Sequence, residues 1–85
     1  MSDLPMKKVL IYTTASCPYC IHAKQLLQAK GLEYSEIRVD LDDAEREKMI
    51  NLSGRRTVPQ VFINDEHIGG FDDLYAYFLK KTRAT

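Results

Sequence analysis

The chain holds two cysteines, Cys17 and Cys20, three residues apart with a proline directly after the first. That spacing narrows what the segment can become. Just upstream, Val9-Leu10-Ile11-Tyr12-Thr13 is rich in β-branched and aromatic residues and predicts a strand. Pro18 suits the first position of a helix, where its missing N–H costs nothing. Cys17 then falls at the N-cap, with its sulfur near the backbone N–H groups of Tyr19 and Cys20. Hydrogen bonds and the positive end of the helix dipole favour a thiolate there. An ordinary thiol, with a pKa of about 8.5, is only about 3% ionised at pH 7. The placement therefore predicts Cys17 as the attacking sulfur. Cys20, one turn inside, is expected to be less exposed and to point back toward it as the resolving thiol.

Other uses of a cysteine pair fare worse. Closing so short a loop with a structural disulfide stabilises by roughly 2 kcal/mol, against roughly 4 for a loop of about fifty residues. A closed zinc site wants four ligands, usually as two pairs. The remaining candidates, His22 and His67, form no pair and are expected at the surface, so no metal is expected.

Eighty-five residues predict one domain over 1–85, with 1–6 as a loose leader. Twelve Lys and Arg balance twelve Asp and Glu, which argues against a grip on nucleic acid through its phosphates. No run of about 18 apolar residues is present to span a membrane. Lys7 and Lys8 before an apolar run, with Ala15-Ser16-Cys17 after it, loosely echo a secretion signal. The run is too short for a signal core of about 7 to 15 residues, and cleavage would discard the best strand. A cytoplasmic location is expected.

Farther along, Ala23, Leu26 and Leu27 lie on one helical face, and Lys30-Gly31 supplies a glycine stop. Residues 34–39 alternate, with Ser35, Ile37 and Val39 on one face and Glu36 and Arg38 on the other, which predicts a strand. Asp42 with Glu45 forms a capping pair for a second helix ending near Gly54, with Met49, Ile50 and Leu52 turned to the core. Pro59-Gln60-Val61-Phe62-Ile63 reads as a strand, Asn64-Asp65 as a turn and His67-Ile68 as a short return strand. After Gly69-Gly70, a last helix carries Phe71, Leu74, Tyr75, Phe78 and Leu79 inward, with Lys80, Lys81 and Arg83 at its end. The order β-α-β-α-β-β-α predicts an α/β fold, a four-stranded mixed sheet flanked by three helices. A CxxC opening the first helix of such a unit marks a thioredoxin-like redox site.

Three separated motifs resemble those of the glutaredoxin family, most closely its small bacterial dithiol members. They are Cys17-Pro18-Tyr19-Cys20, Thr57-Val58-Pro59-Gln60 and Gly69-Gly70-Phe71-Asp72-Asp73-Leu74, and the similarity runs from Lys8 to about Leu79. It implies the thioredoxin fold, a cis bond before Pro59, and glutathione as co-substrate. It also implies a glutathione-binding set of Tyr19, Thr57, Val58, Pro59, Gly70, Phe71 and Asp72. Physical chemistry is consistent with that set. The backbone of Val58 can pair with an extended tripeptide as an added strand. The helix beginning near Phe71 offers N–H groups to the γ-glutamyl carboxylate, and Asp72 can accept from its ammonium. Without the preceding Gly69-Gly70 and the matched motif, a helix-terminal charge would be the plainer role for Asp72.

In many members a lysine stands three residues before the first cysteine, and here that position is Thr14. Arg46 is the expected substitute for the glycine carboxylate of glutathione, with Arg55 and Arg56 left open. The resemblance implies a thiol–disulfide oxidoreductase acting on protein disulfides and protein–glutathione mixed disulfides; with no obvious dimer-forming repeat in the sequence, a monomer is expected. Two alternatives stand beside it. One is an iron–sulfur carrier holding a cluster between two chains, which Pro18 and Cys20 oppose. The other is the same chemistry fed by a thioredoxin reductase.

Overall fold

In the computed structural model, the strand expected ahead of the cysteines is β1 (Val9–Thr13), an inner strand of a four-stranded sheet. Residues 8–83 are described, so the leader expected over 1–6 lies outside the described residues, as do the side chains of Lys81 and Arg83. The chain continues through α1 (Pro18–Ala29), β2 (Ser35–Arg38), α2 (Asp43–Ser53), β3 (Gln60–Ile63), β4 (Glu66–Gly69) and α3 (Phe71–Arg83). The sheet runs β2-β1-β3-β4. β1 is parallel to β2 and antiparallel to β3, and β3 is antiparallel to β4, so the sheet is mixed as expected.

The period-2 alternation of β1 assigns the two faces. Val9 and Ile11 join Val61 and Ile63 beneath Ala23 and Leu27 of α1 and Leu74 and Phe78 of α3. Tyr12 turns the other way, packing with Phe62, Val39 and Met49 of α2. Helices thus cover both faces, the usual way to bury a parallel pair. β3 starts at Gln60 rather than Pro59, because proline has no N–H to give the ladder. Asn64 and Asp65 take φ of 53° and 69°, the left-handed pair of a two-residue hairpin turn. β2 is shorter than the alternation predicted, although the Val39 N–H still reaches the Thr13 carbonyl at 2.9 Å.

Several expected core contacts lie outside the core. Leu52 is 54% exposed, because α2 buries only a narrow stripe around Met49, with Ile50 packed against it. Tyr75 and Leu79 are 52% and 48% exposed. At 3.6 residues per turn the stripe through Leu74 and Phe78 leaves both on the flank of α3. Leu26 is only partly buried. His67, expected at the surface, is partly buried, with its Nε2 2.7 Å from Gln60 Oε1 and its ring 5.0 Å from that of Phe62. Burial holds its pKa below the usual value.

Candidate active site

Cys17 caps α1 with an extended backbone, φ −128° and ψ 103°. Its Sγ accepts the Cys20 N–H at 3.1 Å; the cap bond comes from the third helical residue alone, not also from Tyr19. The first turn carries no acidic residue to compete with charge on the sulfur. Across from the helix, the Cys17 thiol lies 3.7 Å from the Val58 carbonyl oxygen. Both cysteines are free thiols. They differ sharply in setting, since Cys17 is partly exposed and Cys20 is 1% exposed. Burial, followed by its hydrogen bond with Cys17, pushes the Cys20 pKa up to about 12. A backbone hydrogen bond from Thr14 and the charge of Lys24 pull the other way.

The turn that delivers Cys17 is tied down from β2. Asp40 accepts the Ala15 N–H at 3.3 Å and is itself gripped by Arg38 through two bonds of 2.8 and 2.7 Å. The Arg38 hydrogen bond holds the Asp40 pKa down to about 2. On the neighbouring face, Glu36 accepts from Thr13 Oγ1 at 2.6 Å and from Lys24 at 2.9 Å. Those two bonds lower its pKa, so it stays ionised beneath Lys24.

Beside the sulfur runs a groove of about 230 Å³. One wall comes from the loop before β3, with Thr57, Val58 and Pro59, and the Val58–Pro59 bond is cis. The other comes from the start of α3, with Gly70, Phe71 and Asp72. Tyr19 of α1 joins them, its ring 6.3 Å from that of Phe71 and inclined at 30°. Seven residues drawn from three distant motifs thus meet in one concavity. Arg46 is not among its lining residues; it sits in the first turns of α2, where its N–H bonds to the Asp42 carbonyl. The arginine that does line the groove is Arg55, whose Nη1 lies 3.0 Å from Asp73 Oδ2. Arg56 is exposed and does not line it.

Asp73 was not singled out by the sequence, yet it organises this end of the groove. Its Oδ2 accepts both the Arg55 guanidinium and the Gly70 N–H, the latter at 3.2 Å. These bonds lower its pKa, that from Arg55 most. An acid three residues after the helix cap and bonded back to it is the returning half of a capping box, a signal available in Gly70-Phe71-Asp72-Asp73. Gly69 takes φ 124°, and a Cβ there would collide with the Asp73 carboxylate. The arrangement can hold an extended, anionic ligand against backbone donors with a sulfur nucleophile at its side. Among the described residues, no three His, Cys, Asp or Glu side chains gather as metal ligands, and no helix is long and apolar enough to cross a membrane.

Comparison with known proteins agrees on one family. The glutaredoxin family model matches residues 9–68. Glutaredoxin 3 of Escherichia coli K12 is 56% identical over 71 residues, covering 84% of this chain and 86% of its own. The solution structure of a glutaredoxin from Brucella melitensis superposes with a TM-score of 0.79 at 46% identity, over 93% of this chain and 86% of that one. The crystal structure of a buckwheat glutaredoxin–glutathione complex does so with a TM-score of 0.80 at 31% identity, over 88% and 71%.

Proposed function

This chain belongs to the glutaredoxin family and has its thioredoxin-like fold and glutathione-dependent thiol–disulfide oxidoreductase activity, and from that premise we propose how its own residues carry the reaction. The observation that carries the proposal is the cap bond of 3.1 Å from the Cys20 N–H to Cys17 Sγ, made at the edge of the groove. It gives the more accessible sulfur a donor that strengthens as negative charge develops.

Cys17 thiolate attacks the glutathione sulfur of a protein–glutathione mixed disulfide. A Cys17–glutathione disulfide forms, and the protein leaves as a thiolate that takes up a proton. A second glutathione thiolate then attacks the glutathione sulfur of that intermediate, releasing oxidised glutathione and restoring Cys17. With a protein disulfide, Cys17 forms a mixed disulfide with the protein and Cys20 resolves it. Two glutathiones then reduce the Cys17–Cys20 bond and become one oxidised glutathione.

The raised Cys20 pKa fits this division. In the free enzyme Cys20 is held as the neutral thiol, in reserve behind the more accessible sulfur. Two causes of the elevation, the bond to Cys17 and its charge, disappear once Cys17 Sγ is locked in a mixed disulfide. Burial remains, while Lys24 and the Thr14 backbone still favour the anion. Cys20 therefore becomes easier to ionise at the step that needs it.

In the groove, glutathione lies extended against the Val58 backbone, flanked by Tyr19 and Phe71. Its γ-glutamyl carboxylate faces the first N–H groups of α3, and its ammonium faces Asp72. Thr57, Pro59 and Gly70 shape the walls. Proteins carrying disulfides or glutathione mixed disulfides are the partners, and the chain acts as a monomer in the cytoplasm. The test is turnover of a peptide–glutathione mixed disulfide by single-cysteine variants. Cys20→Ser keeps turnover and Cys17→Ser loses it; equal loss in both would overturn the assigned roles.

A further inference from the structure

We infer that Arg55, held in place by Asp73, binds the γ-glutamyl carboxylate and makes this protein select glutathione over thiols lacking the γ-glutamyl group. The inference rests on the glutathione reading of the groove and assigns to this chain the residues that enforce it.

The backbone of Arg55 is fixed first. Gly54, with φ 73°, ends α2, and Ser53 Oγ accepts the Arg55 N–H at 3.0 Å while lying 2.7 Å from the Met49 carbonyl oxygen. The side chain is fixed next, by Asp73 Oδ2 at 3.0 Å from Nη1. Because the same oxygen takes the Gly70 N–H, the guanidinium is drawn to the N-terminus of α3. The helix ladder there starts with the Leu74 N–H on the Gly70 carbonyl, so the preceding N–H groups are its unpaired donors. A carboxylate seated on them would lie in a groove that Arg55 also lines.

A guanidinium carries five N–H donors, and the Asp73 bond occupies one of them. Asp73 is a positioning residue in this scheme. Arg55 and Asp73 are each 47% exposed, so an untethered Arg55 would sample many rotamers and lose that freedom on binding. Tethering it beforehand reduces that cost. Since the pair is formally neutral, binding depends on the geometry of the fork more than on net charge, and lysine should replace Arg55 poorly.

One peptide carrying a single cysteine supplies the test, coupled by a disulfide either to glutathione or to the dipeptide cysteinylglycine. The two share the reacting sulfur and the glycine carboxylate and differ in the γ-glutamyl group. For the glutathionyl peptide, Arg55→Ala is expected to lower kcat/KM by about tenfold, mainly through KM. For the cysteinylglycyl peptide it should change little. Arg55→Lys and Asp73→Asn should each give a smaller loss with the same selectivity, and Asp73→Glu should recover part of it. Equal loss on both peptides, or loss on neither, would overturn the inference and leave the pair a surface strut. A lowered Tm with unchanged selectivity would say the same. Failure of the unsubstituted protein to act on the glutathionyl peptide would remove the glutathione reading itself, and it would be seen before any variant is made.

Discussion

Two helix N-termini of this molecule face the same physical problem and solve it with different atoms. At α2, Asp42 accepts the N–H groups of Ala44 and Glu45 at 3.0 and 3.2 Å, and Asp43 and Glu45 add negative charge to the first turn. At α1 the cap is the sulfur of Cys17, and no acid accompanies it. The α2 end is already satisfied by a fixed carboxylate. The α1 end keeps its field for a group that can change its bonding. A helix mouth becomes chemically useful when the cap is a nucleophile and the competing charges are left out.

Exchanging one atom breaks the comparison most severely. Serine still caps a helix but is no nucleophile toward disulfides, so Cys17→Ser should lower turnover of a peptide–glutathione mixed disulfide by on the order of a thousandfold or more. Its circular dichroism should stay native. Substantial residual turnover would mean that the α1 cap is not the attacking group. Cys20→Ser tests the second half of the same mouth. Reduction of a protein disulfide should fall by about a hundredfold or more, while turnover of the glutathione mixed disulfide should stay within a few-fold.

The third N-terminus, at α3, lies between these extremes, since its cap is occupied from within by Asp73 while other donors face the groove. Asp72→Ala should raise the KM for a glutathionylated peptide by about tenfold with kcat little changed, the cost of one charge-assisted hydrogen bond. An unchanged KM would detach Asp72 from the ligand.

How much of this contrast was legible beforehand follows from the range of the interactions. The caps at Cys17 and Asp42, the glycine stop at Gly54 and the hairpin turn at Asn64-Asp65 depend on neighbours within four residues, and the chain displays them directly. The layering of α1 and α3 against α2 follows from alternation in β1. Contacts across the fold were less visible. Arg46 and Arg55 are both exposed-type cations near the end of or within one helix, and only the approach of α3 to the loop after α2 brings Arg55 to the groove. Likewise His67 looks like a hairpin surface residue until Gln60 and Phe62, on the adjoining strand, enclose it. Helical spacing places Tyr75 and Leu79 with the core because that pattern spans a wider stripe than one sheet face can cover, and both stay about half exposed.

Alkaline titration sharpens the contrast further, because the α1 mouth has a buried thiol behind it and the α2 mouth does not. The folded-state pKa of Cys20, about 12, lies well above that of an ordinary thiol, so the folded state binds that proton more tightly. Its stabilising contribution is complete below about pH 9 and is lost as pH rises toward 12. Denaturant midpoints should therefore fall above pH 9. Cys20→Ser should make that fall shallower without abolishing it, since burial also raises the Tyr12 pKa and acts in the same direction. A variant with an unaltered alkaline slope would mean that Cys20 is not held as the neutral thiol.

The smallest expected effect comes from removing the cap that does no chemistry. Asp42→Ala deletes the acceptor for two backbone donors at the exposed start of α2. Those N–H groups can turn to water, so the cost is the net value of a cap, about 1 kcal/mol. In a domain of this size that corresponds to a Tm lower by roughly 4–8 °C. The helix itself should persist, because Met49 stays buried against Tyr12 and Phe62 on the face opposite α1 and α3. Turnover should be unchanged at temperatures well below the transition. If Asp42→Ala instead slowed catalysis while barely moving Tm, the α2 terminus would be acting on the groove. The distinction between a closing cap and a reacting one would then fail.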